Sequence, residues 1–124
     1  EGIKTLLDNP DADSCRPITE APKHPYKMWC VIGGSPIMEP FLPKAVTQMD
    51  EPYNLPRQLL PKAFIHTGAM DVMRIHTIRD LKSTSGKKVA YFFMKLEDSI
   101  NIDSALDFEL AEILMRNRQK NEAI

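Results

Sequence analysis

Two polar side chains, Asn101 and Asp103, alternate with two isoleucines in Ser99-Ile100-Asn101-Ile102-Asp103. The strict alternation predicts a strand with Ile100 and Ile102 on one face and the two polar groups on the other, about 6.5–7 Å apart. That strand would end where a helix begins, at Ser104, and open α/β sheets bind ligands beyond the carboxyl ends of their strands. A pair of oxygen donors there suits Mg2+, a hard cation. The same residues have a plain structural use: Asp103 can help cap the helix while Asn101 faces water. On spacing alone the structural use is the simpler reading.

Two cationic positions come next. Lys27, in His24-Pro25-Tyr26-Lys27, is a point charge suited to phosphate or carboxylate. Arg57, followed by Gln58, stands after Pro56 and can grip an anion in a bidentate fork. Taken one at a time, each reads more simply as a solvated side chain beside a turn. His24, His66 and His76 have no metal-ligand spacing with one another or with Cys15 and Cys30. The two cysteines read as packed thiols. Gly33-Gly34-Ser35 lacks the Gly-Lys-Ser/Thr and the following helix of a phosphate loop, so it reads as a hairpin turn. Phe92 and Phe93 read as core.

The elements that must position these groups follow from local pattern. Residues 2–9 have the form of the last two turns of a helix, stopped by Asn9-Pro10. A helix met without its beginning implies more chain upstream. The β-branched Ile18 and Thr19 in Ser14–Glu20 predict a strand, with Pro17 confining it to an edge or a bulge. Tyr26–Ile32 predicts a strand that turns at Gly33-Gly34-Ser35-Pro36 and returns antiparallel through Ile37-Met38. From Glu39 to Pro61, five prolines (Pro40, Pro43, Pro52, Pro56, Pro61) predict an extended arm. Residues 63–74 form a strand broken by Gly68, and 76–81 a short helix. Residues 83–87 are a polar loop, and 88–94 an apolar strand covered on both faces. Ser104 with Asp107 forms a capping box in which Asp replaces the usual Glu. Leu106, Leu110, Ile113 and Leu114 then trace the stripe of an amphipathic helix. Strands mixed with helices mean α/β.

Composition limits the function. The 124 residues are 43% apolar and carry 16 basic against 17 acidic side chains, a net charge of −1. So balanced a charge gives no footing for general binding to nucleic acid or a membrane surface. Mean hydropathy is −0.31, and no apolar run approaches the roughly 18 residues of a spanning helix. There is no apolar signal region at the N-terminus. Two cysteines do not make a disulfide scaffold, so a reducing cytoplasm is the expected setting.

Several of these segments occur together and in order in one family. The matching residues are His24-Pro25-Tyr26-Lys27-Met28-Trp29, Pro56-Arg57-Gln58, Gly68-Ala69, Gly86-Lys87, Ser99-Ile100-Asn101-Ile102-Asp103, Leu106-Asp107-Phe108 and Ala111-Glu112. Along almost its whole length the chain resembles the C-terminal part of the N-acylneuraminate cytidylyltransferases and their relatives, which activate nonulosonic acids.

The resemblance implies the C-terminal part of a Rossmann-like nucleotidyltransferase sheet spanning residues 1–124, with a protruding dimerisation hairpin and Pro-rich arm at 27–62. The family's nucleotide-binding half, with its Leu-x-Ala-Arg-x-Gly-Ser loop, has no counterpart in the 124 residues. The fragment alone is therefore expected to be inactive. The reaction implied is transfer of CMP from CTP to a sialic, legionaminic or pseudaminic acid, with release of pyrophosphate.

Residue by residue, Asp103 matches the second carboxylate of the family's Ser-Ile-Asp-Ile-Asp, which serves Mg2+, and neutral Asn101 replaces the first. Lys27 matches a lysine near the substrate anions, and Arg57-Gln58 matches the family's pair in the arm. Asp71 stands where sialate-specific members usually carry an aromatic residue, so the resemblance does not single out N-acetylneuraminate among these sugars. The arm implies a homodimer or higher homo-oligomer, and the composition keeps the expectation of a cytoplasmic setting without nucleic-acid or membrane partners. The competing class is a non-catalytic dimerisation or binding module that keeps the fold without the nucleotide half.

Overall fold

The structure, a computed structural model, describes residues 1–122 and is mixed α/β. The chain divides into two compact units: residues 1–19 with 65–124, and residues 20–64.

In the first unit, helix α1 (Gly2–Asp8) leads through Asn9-Pro10 into strand β1 (Ser14–Glu20). Strands β4 (Phe64–His66) and β5 (Val72–Met73) lie either side of Gly68. Helix α3 (Ile75–Arg79), strand β6 (Val89–Phe93) and helix α4 (Ala105–Glu122) complete it. The sheet is mixed. β1 pairs antiparallel with β5 at Ser14–Met73 and Cys15–Val72, and parallel with β6 from Ser14–Val89 to Ile18–Phe93. β4 is its remaining partner.

Pro17 therefore stands in a central strand, fully buried, and not at the edge its ring predicts. The register explains why this is tolerated. β5 pairs only as far as Cys15, and the Pro17 carbonyl accepts the Thr67 N–H (3.2 Å) just beyond β4. An extended residue points its N–H and C=O to the same side, so the missing donor falls where one edge of β1 passes from β5 to β4.

The core is small: Leu6, Ala12, Cys15 and Phe92, with Val72, Ala90 and Met94 packed against it. β6 is covered on one face only. Phe92 points inward, whereas Val89, Tyr91 and Phe93 are exposed, against the expectation of cover on both faces. An unbroken apolar run carries no alternation from which to read which face is buried.

Asp13 ties the unit together just ahead of β1. Its carboxylate accepts the N–H groups of Lys87 (2.7 Å) and Lys88 (2.9 Å) and lies 3.0 Å from His76 Nε2. The Lys88 N–H, then His76 and the Lys87 N–H, hold its pKa down at about 2. Gly86 completes the arrangement: its φ of +73° is left-handed, and a Cβ there would collide with Asp13. Arg74 ties off α1 by donating to the carbonyls of Leu6 (2.7 Å) and Ala12 (2.9 Å).

The second unit opens with a 3-10 turn at Pro25–Lys27, which shortens the expected strand to β2 (Trp29–Val31). β3 (Met38–Pro40) returns antiparallel, with Trp29 opposite Pro40. The arm is not extended. It folds into helix α2 (Lys44–Thr47) and 3-10 turns at Pro52–Asn54 and Arg57–Leu59, each a single turn. Proline forbids a helix interior but suits a first turn, so Pro52 starts one turn and Pro43 and Pro56 precede the others. The fold-back brings Tyr53 against Trp29, ring centroids 4.6 Å apart.

Candidate functional site

The expected site residues divide between the units. Lys27, Arg57 and Gln58 belong to the second, and Asn101 and Asp103 to the first.

Residues 99–103 form no strand, so the shared-face argument from alternation does not apply to Asn101 and Asp103. A strand needs a neighbour to bond its N–H and C=O groups, and this segment has no ladder partner among the described residues. Asn101 instead lies against the β4–β5 turn. Gly68 has φ +72°, and a Cβ on it would stand 3.2 Å from Asn101 Oδ1.

The start of α4 separates the two uses of Asp103. The capping box forms as expected: Ser104 Oγ donates to Asp107 Oδ2 (2.7 Å), and the Asp107 N–H points back to Ser104 Oγ (3.3 Å). Asp107 also accepts the N–H groups of Ser104 (2.8 Å) and Asp103 (3.3 Å). The Ser104 hydroxyl, followed by these N–H groups, lowers the Asp107 pKa. Asp103 thus gives the cap only its N–H, and its exposed carboxylate takes no part.

Arg57 and Gln58 line a cavity of about 390 Å3 with Glu20, His24, Leu60, Pro61, Lys62 and Ala63. The guanidinium is already engaged there. Arg57 donates to Glu20 Oε1 (2.8 Å), the Ala21 carbonyl (2.6 Å) and the Pro22 carbonyl (3.5 Å). It therefore braces the cavity wall and is not a free anion fork. Gln58 and Lys62 are exposed in the same wall.

His24 is buried, with its tautomer fixed by its neighbours. Nδ1 accepts the Tyr26 N–H (3.1 Å), so Nε2 carries the hydrogen and donates to the Pro61 carbonyl (2.7 Å). This ring positions Lys27, which is exposed on the turn that follows and does not line the cavity.

One cluster escaped sequence reasoning. His66 Nε2 and Arg16 Nε lie 3.2 and 3.1 Å from Asp71 Oδ1, and Arg16 donates to Asp71 Oδ2 through its terminal nitrogen (3.3 Å). The break at Gly68 was the available signal, because it places residues before and after it side by side. Among the described residues, no three His, Cys, Asp or Glu side chains gather as a metal-binding group. No helix there is long and apolar enough to cross a membrane.

No protein-family model matches the chain, and no curated protein matches it.

Proposed function

We propose that the chain forms the C-terminal part of a cytidylyltransferase that moves CMP from CTP to a nonulosonic acid. The reading rests on one observation, the ordered recurrence of the family's segments from His24 to Glu112. In that reaction the anomeric hydroxyl gives up its proton to solvent as its oxygen bonds to the α-phosphorus of CTP. The bond from that phosphorus to the β-phosphate oxygen breaks, and pyrophosphate leaves with the pair. The finer fold, a Rossmann-like sheet completed by a nucleotide-binding half, belongs to the same proposal, as do a cytoplasmic setting and a homodimer built through 27–62.

The donors Asn101 and Asp103 suit Mg2+, which takes one or two carboxylates plus substrate phosphates and not a full protein cage. Bound Mg2+ neutralises triphosphate charge. Asp103 supplies the anionic oxygen and Asn101 the neutral one. Lys27 and Lys62 supply positive charge for substrate anions, and Gln58 supplies an amide to a polar substrate group. Arg57 acts through the wall it braces.

The competing reading, a non-catalytic dimerisation module, draws on the exposed apolar side chains of the hairpin: Ile32, Ile37, Met38 and Phe41.

The test is pyrophosphate release by a protein that joins this chain to a nucleotide-binding half, given CTP, Mg2+ and each nonulosonic acid in turn. Asp103→Ala should lower the rate about a hundredfold, the scale for losing a transition-state charge partner. Asn101→Asp should lower the Mg2+ concentration needed. Release by no sugar overturns the enzyme reading, and an active Asp103→Ala protein with an unaltered Mg2+ curve overturns the metal role.

A further inference from the structure

Helix α4 carries two distinct sides. One is used within the chain, where Arg118 pairs with Asp98, and Leu114 and Ile100 line the same small cavity. The other is an apolar seam left bare. Leu106 is 73% exposed, Leu110 43% and Ile113 54%. With Asn117 these residues recur at spacings of four, three and four, the d-a-d-a pattern of a coiled-coil seam. At 100° per residue the seam lies about 120° around the helix from the covered side.

Charge selects what covers it. Glu109 and Arg116 are exposed at the two g positions beside the seam, one heptad apart and opposite in sign. A parallel partner would set each against an e position, Leu114 among them, with no charge to meet. An antiparallel copy sets g against g, so Glu109 meets Arg116 of the other copy, and two-fold symmetry makes the contact twice. Arg116 now holds Glu112 at 3.1 Å in an exposed i,i+4 pair, which such a pairing extends or exchanges at little cost.

We infer that α4 pairs antiparallel with α4 of a second copy of this chain, Leu110 against Ile113 at the centre and Leu106 against Asn117 at the ends.

The test uses the whole chain in a Cys30→Ser background, Cys15 being buried. Chains bearing Leu106→Cys and chains bearing Asn117→Cys are mixed in equal amounts and oxidised. The expected product is the mixed disulfide dimer, in clear excess over either symmetric one. Ile113→Glu in both chains should reduce that yield about tenfold, because it buries a charge in the seam. Circular dichroism confirms that the variant is folded. A preference for 106–106 and 117–117 disulfides, a statistical mixture, or a yield indifferent to Ile113→Glu overturns the pairing.

Discussion

His66 and Asp71 face each other across the Gly68 turn, Nε2 3.2 Å from Oδ1, and Arg16 holds the same carboxylate from β1. Arg16 Nε is buried and sits at ion-pair distance from Asp71, though off the direction of a good hydrogen bond. Removing Asp71 leaves that nitrogen without its countercharge. Asp71→Ala should cost about 1–2 kcal/mol, the lower part of the range for orphaning a polar group, because the side chains are partly exposed. His66→Gln should cost less than half as much. Urea denaturation of the two variants measures both. Equal losses would mean that the histidine, not the arginine, anchors the carboxylate.

Asp13 sets an acid limit. Its folded pKa, about 2, lies below the ordinary 3.8. The stabilisation it gives is therefore complete above about pH 4 and is lost as pH falls from 4 towards 2. Thermal melts across that window should fall steeply for the natural chain and less steeply for Asp13→Asn. The variant should already melt lower at neutral pH. Parallel slopes would show that other carboxylates govern the acid transition.

Arg57 stabilises the second unit by joining Glu20 to the Ala21 and Pro22 carbonyls. Arg57→Ala should destabilise this unit by about 1–3 kcal/mol. Arg57→Lys should recover little, because one ammonium cannot reproduce a planar fork. Hydrogen exchange at the Leu60 amide, which bonds the Arg57 carbonyl at 3.1 Å, reports the loss locally. Unchanged protection in Arg57→Ala would remove the bracing role.

The hairpin should self-associate. Ile32, Ile37, Met38 and Phe41 are exposed and Trp29 is 38% exposed, and a partner surface is needed to bury them. Trp29 is the sole tryptophan, so its emission reads the event directly. It should shift to the blue as concentration rises into the tens of micromolar, roughly where specific interfaces hold. Ile37→Asp should abolish the shift. A monomer by sedimentation at those concentrations would end the proposal.

Local chemistry was legible from the sequence, and contact between distant segments was not. The Asn9-Pro10 stop, the hairpin around Gly33-Gly34 and the Ser104–Asp107 cap each need only a few neighbouring residues, and each forms. Pro17 occupies the sheet interior because two different strands share one edge of β1, which no local pattern encodes. Residues 99–103 alternate like a strand, but alternation does not supply a neighbour to bond with. Asp13 draws its partners from residues 76, 87 and 88, more than sixty positions away, and gives no sign of this in its own loop. Type and order single out Asn101 and Asp103 as candidates, whereas the exclusion of the Asp103 carboxylate from the helix cap follows from Asp107 filling that place.

The Ala21 N–H donates to the Ala63 carbonyl at 3.0 Å, so the chain enters and leaves the second unit through backbone already joined by a hydrogen bond. Such a doorway makes the segment between them a cassette. Replacing 22–62 with a two-residue Asn-Gly reverse turn would close the gap with the geometry of an ordinary hairpin. Conversely, a different module whose ends lie one ladder rung apart could be spliced in at the same place. Insertions and deletions there encounter a junction that any pair of adjacent antiparallel strands can satisfy, so length variation should concentrate at this point of the chain.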